Sequence, residues 1–143
     1  MTTIDPSLSV RGKIIASLKS DAQLTAIVTA ARIYPSKTPA DPAWPFIRVP
    51  ILTGTVADLD GGSGSEQSGV LHCFTKLSTG NLDPEAQAAT INRHIVRIVS
   101  QIDDIDLGDG ESLGVHVVQT QVLMDPAEAD AFHGIVQVRA TAS

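Results

Sequence analysis

Five of the chain's eight prolines, Pro35, Pro39, Pro42, Pro45 and Pro50, fall within RIYPSKTPADPAWPFIRVPILTG, residues 32–54. Each proline removes a backbone donor and fixes φ near about −65°, so a regular helix cannot cross this segment. A strand can follow it only under restriction. Phe46 to Thr53 alternates, with Ile47, Val49 and Ile51 on one face, but Pro50 inside it predicts an edge strand or a bulge. A rigid, irregular approach to a compromised strand is therefore built into the first third of the chain.

The flanking segments are more regular. Asp5-Pro6 is a helix-start signal, and Leu8, Ile14, Ile15 and Leu18 form an apolar stripe interrupted by Gly12. SDAQLTAIVTAA predicts a second short helix, capped by Ser20 or Asp21 and burying Leu24, Ile27 and Val28. Residues 32–34, RIY, read as a brief extended piece. The stretch 57–69, ADLDGGSGSEQSG, reads as a turn-rich, mobile connector, much longer than a tight hairpin needs. VLHCFTKL (70–77) is the next strand. A long helix then begins at Pro84, capped by Asn81 or Asp83. Ala88, Ile91, Ile95, Ile98 and Ile102 lie along one face of it, with Arg93, Arg97 and Gln101 off that stripe. DDIDLGDGES supplies a short extended piece and a turn. LGVHVVQTQVLMD (113–125) and AFHGIVQVRATA (131–142) read as two long strands joined by the loop PAEADA. This order predicts one α+β domain over 1–143: a mainly antiparallel sheet of about four strands, with helices packed on one face.

At 143 residues, 43% hydrophobic and 18% charged, the chain can close one core and is not disordered in composition. No apolar run approaches the roughly 18 residues of a membrane span. The opening MTTIDPSLSV lacks a basic stretch followed by an apolar one. The expectation is a soluble protein, cytosolic at synthesis, with no membrane partner. Cys73 is the single cysteine, so no internal disulfide can form, and it reads as a small buried hydrophobe within a strand. A net charge of −6 with scattered Lys and Arg argues against a grip on nucleic acid. In a multi-copy assembly the same acidity would let DNA slide past without sticking.

Motifs for chemistry are absent. His72, His94, His116 and His133 form no H-x-x-x-H pair; His72 and His116 alone could meet on paired strands. Aligned as a calcium loop from Asp104, DDIDLGDGES places Asp106 correctly. Gly108 and Val115 then occupy ligand positions, so Asp103, Asp104 and Asp109 read as capping and turn residues. GGSGSEQSG lacks the ending of a P-loop, and no nucleophile elbow occurs. No catalytic, metal-binding or cofactor-binding residue is assigned.

Four blocks carry a resemblance. They are LKSDAQLTAIV, RIYPSKTPADPAWPFIRV, HCFTK followed by the long helix, and VLMDPAEADAFHGIVQVRA. In this order and spacing the chain resembles the tail-completion, or tail-terminator, proteins of long-tailed bacteriophages and related gene transfer agents. The likeness spans nearly the whole chain. It departs between Thr55 and Gly69, where this sequence is rich in glycine and serine.

The resemblance implies a structural virion protein without catalytic residues. It implies a homo-oligomeric ring, typically a hexamer, that ends the tail tube at its head-proximal end. The partners implied are the tail tube protein and the head–tail connector, or stopper, with DNA passing through the lumen. The implied location is the neck of the virion, after assembly in the host cytoplasm. Under that implication residues 38–50 are expected at the subunit contact, with Trp44 merely capping the core as the alternative, and Asp58–Gly69 at a neighbour or the tube. The candidate contact residues are Trp44, Phe46, Arg48, Pro50, Asp58, Leu59, Asp60 and Glu66. The alternatives are a head-completion neck protein and, from other classes, a small metal-dependent hydrolase or a small-molecule-binding domain.

Overall fold

The computed structural model describes residues 7–59, 62–106 and 112–142. The helix-start signal at Asp5-Pro6 lies outside them. Helix α1 (Ser7–Lys19) buries Val10, Ile14 and Leu18, which share one face at i, i+4 and i+8. Leu8, expected on that stripe, is 65% exposed, because two residues before Val10 it points to the opposite side of the helix. Helix α2 (Ala22–Thr25) is a single turn. The Asp21 carboxylate accepts from the Leu24 amide at 2.9 Å and buries Leu24 below it. A short 3-10 turn then leads into β1 (Ile33–Tyr34).

Strand β2 (Phe46–Arg48) stops far short of the expected Thr53, and β3 (Thr53–Leu59) and β4 (Gly62–Lys76) follow. Both β2 and β3 pair antiparallel with β4, one after the other. Arg48 opposes His72 and Thr53 opposes Ser68, so five steps along the β2–β3 side face four along β4. The extra residue is a bulge, and Pro50 sits inside it. Beyond it the faces swap. Val49 remains buried, Ile51 turns outward at 45% exposure, and Leu52 takes the inward place that alternation had given to Ile51. Gly69 makes this possible, since a Cβ there would stand 2.9 Å from Leu52 Cγ.

Two expectations are corrected here. Strand β2 is not an edge, because β1 pairs parallel to it on the outer side. The stretch 57–69 is not a free connector either: its described backbone is laddered as a β3–β4 hairpin, and from Glu66 onward β4 also pairs with β7. Backbone ladder bonds do not depend on side-chain character, so a Gly- and Ser-rich sequence can still hold this register.

Helix α3 (Pro84–Val99) opens on Asp83, whose carboxylate accepts from the Ala86 amide. It buries Ala88, Ile91, Ile95 and Ile98, with Ile102 just beyond its end, as the spacing predicts. Strands β5 (Ile105–Asp106), β6 (Ser112–Met124) and β7 (Ala131–Ala142) complete a seven-stranded sheet in the order β1-β2-β4-β7-β6-β5, with β3 beside β4. The additional strands over the predicted four are the short β1 and β5 and the hairpin arm β3. In the β6–β7 turn, Asp130 adopts a positive φ of 57°, which aspartate tolerates.

All three helices contribute to one core against one face of the sheet. Its centre is a close contact. Gly134 on β7 lies under α3, where an added Cβ would stand 2.4 Å from Cys73 Sγ and 2.6 Å from Asn92 Oδ1. Asn92, 5% exposed within an apolar helix face, donates to the carbonyls of Gln121 and Ile135, tying α3 to β6 and β7. Cys73 is fully buried beside it, and burial pushes its thiol up to about 12.

Two glycine substitutions should have opposite signs. Gly134→Ala should destabilise by about 1–3 kcal/mol through overpacking. Gly12→Ala, on a helix face with nothing within 4 Å, should stabilise by up to about 1 kcal/mol through helix propensity. Urea midpoints check both, and equal midpoints would contradict the close contact between α3 and β7.

Candidate functional site

The face of the sheet opposite the helices carries the aromatic residues. On β4, Leu71, Cys73 and Thr75 point to the core, while Val70, His72, Phe74 and Lys76 point the other way. On β7, Val136, Val138 and Ala140 point inward, and His133, Ile135, Gln137 and Arg139 outward. The registers Phe46↔Phe74, Arg48↔His72 and Phe74↔His133 bring three strands' outward residues into one row. Every aromatic residue except Phe132 joins this cluster.

Phe46 and Phe74 stack at 4.7 Å, and Phe74 and His133 at 4.4 Å. Trp44 meets Phe46 edge-on at 5.0 Å, and Tyr34 meets Phe46 edge-on at 6.2 Å. Such pairs are worth about 0.5–1.5 kcal/mol beyond the area they bury. Two cations lie over the rings: Arg48 is 5.6 Å from the Phe74 centroid and Lys76 5.7 Å from the Trp44 centroid. The proline-rich approach is anchored from below, where Arg32 donates to the Trp44 carbonyl at 3.1 Å.

Charge on this face is mostly paired. Lys76 holds Glu128 at 2.9 Å, and Arg139 holds Glu66 at 3.0 Å. Arg48 differs: its Nε is buried without a hydrogen-bond partner, and among the described residues it has no ion pair. His72 Nδ1 and His133 Nε2 are 2.7 Å apart, a distance that requires one ring to donate to the other. Burial, then the nearby Arg48 and His133, push His72 down to about 4. His133 is also lowered, chiefly by burial, against an opposing pull from Asp125. Both rings are therefore neutral at pH 7. The pairing of His72 with His116 does not occur, because β7 lies between β4 and β6. His116 is exposed on β6, and His94 lies 3.2 Å from Arg97.

Of the candidate contact residues, Trp44, Phe46 and Arg48 come together here. Trp44 is partly buried on the open face rather than inside the core, and Phe46, 6% exposed, is the floor of the cluster. Pro50 sits at the bulge beside it. Glu66 is exposed further along β4, in its pair with Arg139. Asp58 and Leu59 lie on β3, away from this cluster, and Asp60 lies outside the described residues. Sequence reading missed Phe74, Lys76, His72 and His133. The signal was present in HCFTK, where His72, Phe74 and Lys76 share the outward parity, but the register with His133 was not.

Among the described residues no group of three or more His, Cys, Asp or Glu could hold a metal ion, and no helix is long and apolar enough to cross a membrane. The outer side of the sheet thus carries a row of packed rings, with two cations over them and a neutral histidine pair.

A family model described as tail completion protein gp17 matches residues 12–143. No curated protein matches the chain. Among solved structures, a chain in the virion of a native gene transfer agent (GTA) particle shares the fold, with a TM-score of 0.77 at 17% sequence identity over 98% of each chain.

The histidine pair generates a pH dependence. The unfolded chain takes up protons near pH 6.5 while folded His72 resists until about 4, so stability is full above 6.5 and declines as pH falls toward 4. The Asp21 carboxyl, held down to about 2 mainly by its hydrogen bond to Arg97, loses its contribution only between 3.8 and 2. Thermal midpoints between pH 7 and pH 5 should therefore fall in the wild type and fall less steeply in His72→Phe, where only the lowering of His133 remains. Parallel curves for the two proteins would contradict the assignment.

Proposed function

Because the chain belongs to the tail completion protein gp17 family, and is thus a structural component of a phage-type tail, we propose that its copies close into a ring that ends the tail tube. The ring, a hexamer by family likeness, would sit at the head-proximal end of the tube, in the neck of the virion. The tube protein would dock on one ring face and the head–tail connector on the other. Assembly would take place in the host cytoplasm. The working parts are surfaces, and no catalytic step is assigned to any residue.

The observation that carries this reading is the open aromatic face. A sheet with one side sealed by helices and the other carrying Trp44, Phe74 and the cations Arg48 and Lys76 over a buried Phe46 suits one half of an interface. The rings are held before docking by one another and by the Arg32 contact, so little freedom is lost on association. We place the subunit contact at residues 38–50 together with this face. A heterologous contact whose rotation closes gives a ring. The net charge of −6 per copy suits a lumen that DNA traverses without being held.

Sedimentation of the purified protein, alone and with tail tubes, tests the proposal. Wild type should form closed rings or acquire them on tube ends. Trp44→Ala should keep its fold, shown by circular dichroism, and remain monomeric. Unchanged rings in Trp44→Ala, or a chain that unfolds, would reject this placement of the contact.

A further inference from the structure

We propose that neighbouring copies of this chain join edge to edge, with β3 of one copy adding as a strand beside β6 of the next. This rests on the ring reading above and names what the β2–β3 side of one subunit meets.

The first observation is the open edge of β6. Strand β7 ladders it from Leu113 to Met124, but on the other side β5 pairs only with Ser112 and Leu113, and Ile102 adds one bond to the Val115 amide. Over 116–124, among the described residues, β7 is the one paired strand, and Asn92 adds a single bond to the Gln121 carbonyl. This run, HVVQTQVLM, holds no proline and no Lys, Arg, Asp or Glu, the residues that usually keep a sheet edge from pairing. Val118, Leu123 and Met124 on it are exposed. A bulge between Val117 and Gln119 is the only irregularity, and beyond it the ladder runs without a shift to Met124. Beside the edge, on the helix side, lies a groove of about 600 Å³ lined by Arg93 and Val96 of α3 and by Val117 and Val122 of β6. An extended segment laid along such an edge gains backbone bonds and sends alternate side chains into the groove.

The second observation is that the chain carries a matching edge. The outer strands β1 and β5 have two residues each, whereas β3 has seven, paired to β4 on one side and, among the described residues, to no strand on the other. Strands β3 and β6 flank β4 and β7 from opposite sides. Two unlike edges facing opposite ways are what a heterologous contact joins when it closes a ring. Because β3 lies on the same side of β4 as β2, the junction includes the 38–50 segment. Charge also favours the unlike pairing. Asp58 is the one charged residue of β3, and Arg93 is the one charged residue lining the groove, without an ion pair among the described residues. Two β6 edges paired about a two-fold axis would instead line one junction with both Arg93 side chains, and would stop at two copies.

Hydrogen exchange on the full-length protein, below and above its assembly concentration, reads both edges. Amides in 53–59 and in 116–124 should both exchange on the order of tenfold more slowly, or more, in the ring. Cysteine cross-linking then identifies the neighbour, since paired strands hold facing Cα atoms about 5 Å apart, within disulfide reach, and the native Cys73 is buried. Copies carrying Thr53→Cys or Ala57→Cys, mixed with copies carrying Gln119→Cys, Thr120→Cys or Gln121→Cys, should form a mixed disulfide in at least one combination, while each variant alone forms none. If rings assemble and neither edge gains protection, or no combination cross-links, the strand pairing is wrong while the ring stands. A β6 cysteine that links to its own kind would show two β6 edges together and overturn the assignment. Protection of 116–124 that appears only when tubes are added would give that edge to the tube protein, again overturning it. If wild type forms no ring with or without tubes, the ring reading fails and takes this inference with it.

Discussion

The fold depends on how closely α3 lies against β7. Gly134 removes the one side chain that would hold the helix away, and Asn92 fills the space with two bonds to strand carbonyls. A buried asparagine costs free energy unless satisfied; here its satisfaction fixes both the height and the rotation of the helix. Once α3 is seated, Ile91, Ile95 and Ile98 close the core with α1 and α2. The other face of the sheet is then left without a helix, and its residues have to be stabilised by one another.

That second face is organised by the break at Pro50. A strand continuing straight from Arg48 to Leu59 would put Ile51 in the core and expose Leu52. The additional residue swaps them and lets one long strand, β4, serve two partners in succession. With β2 confined to Phe46–Arg48, Phe46 lies against Phe74 and Arg48 against His72. The prolines that precede it hold Trp44 against the same rings. The edge beyond is only the two residues of β1, which offers little to stray strand pairing.

Much of this was legible in the residues. The stripe of α3, the Asp21 and Asp83 caps, the β6–β7 hairpin and the α+β class follow from periodicity and turn chemistry, which act locally. Trp44, Phe46 and Arg48 were recognisable as a group because the prolines marked their segment. Phe74, His72 and His133 were not, because their meeting depends on β7 inserting beside β4, and register between distant strands leaves no local trace. Stretch 57–69 misled for a related reason: glycine and serine describe what the side chains can do, whereas the ladder there is made by the backbone. Asn92 is polar on an otherwise apolar helix face, and only the strand carbonyls it bonds explain its place.

Cys73 has a practical meaning. The chain's single sulfhydryl is fully enclosed, and its ionisation lies far above neutrality, so alkylating reagents, which attack the ionised form, find nothing to react with in the folded state. A cysteine introduced anywhere on the surface therefore becomes a unique attachment point, and spectroscopic labels can report on individual subunits without first stripping the native sequence of its own sulfur.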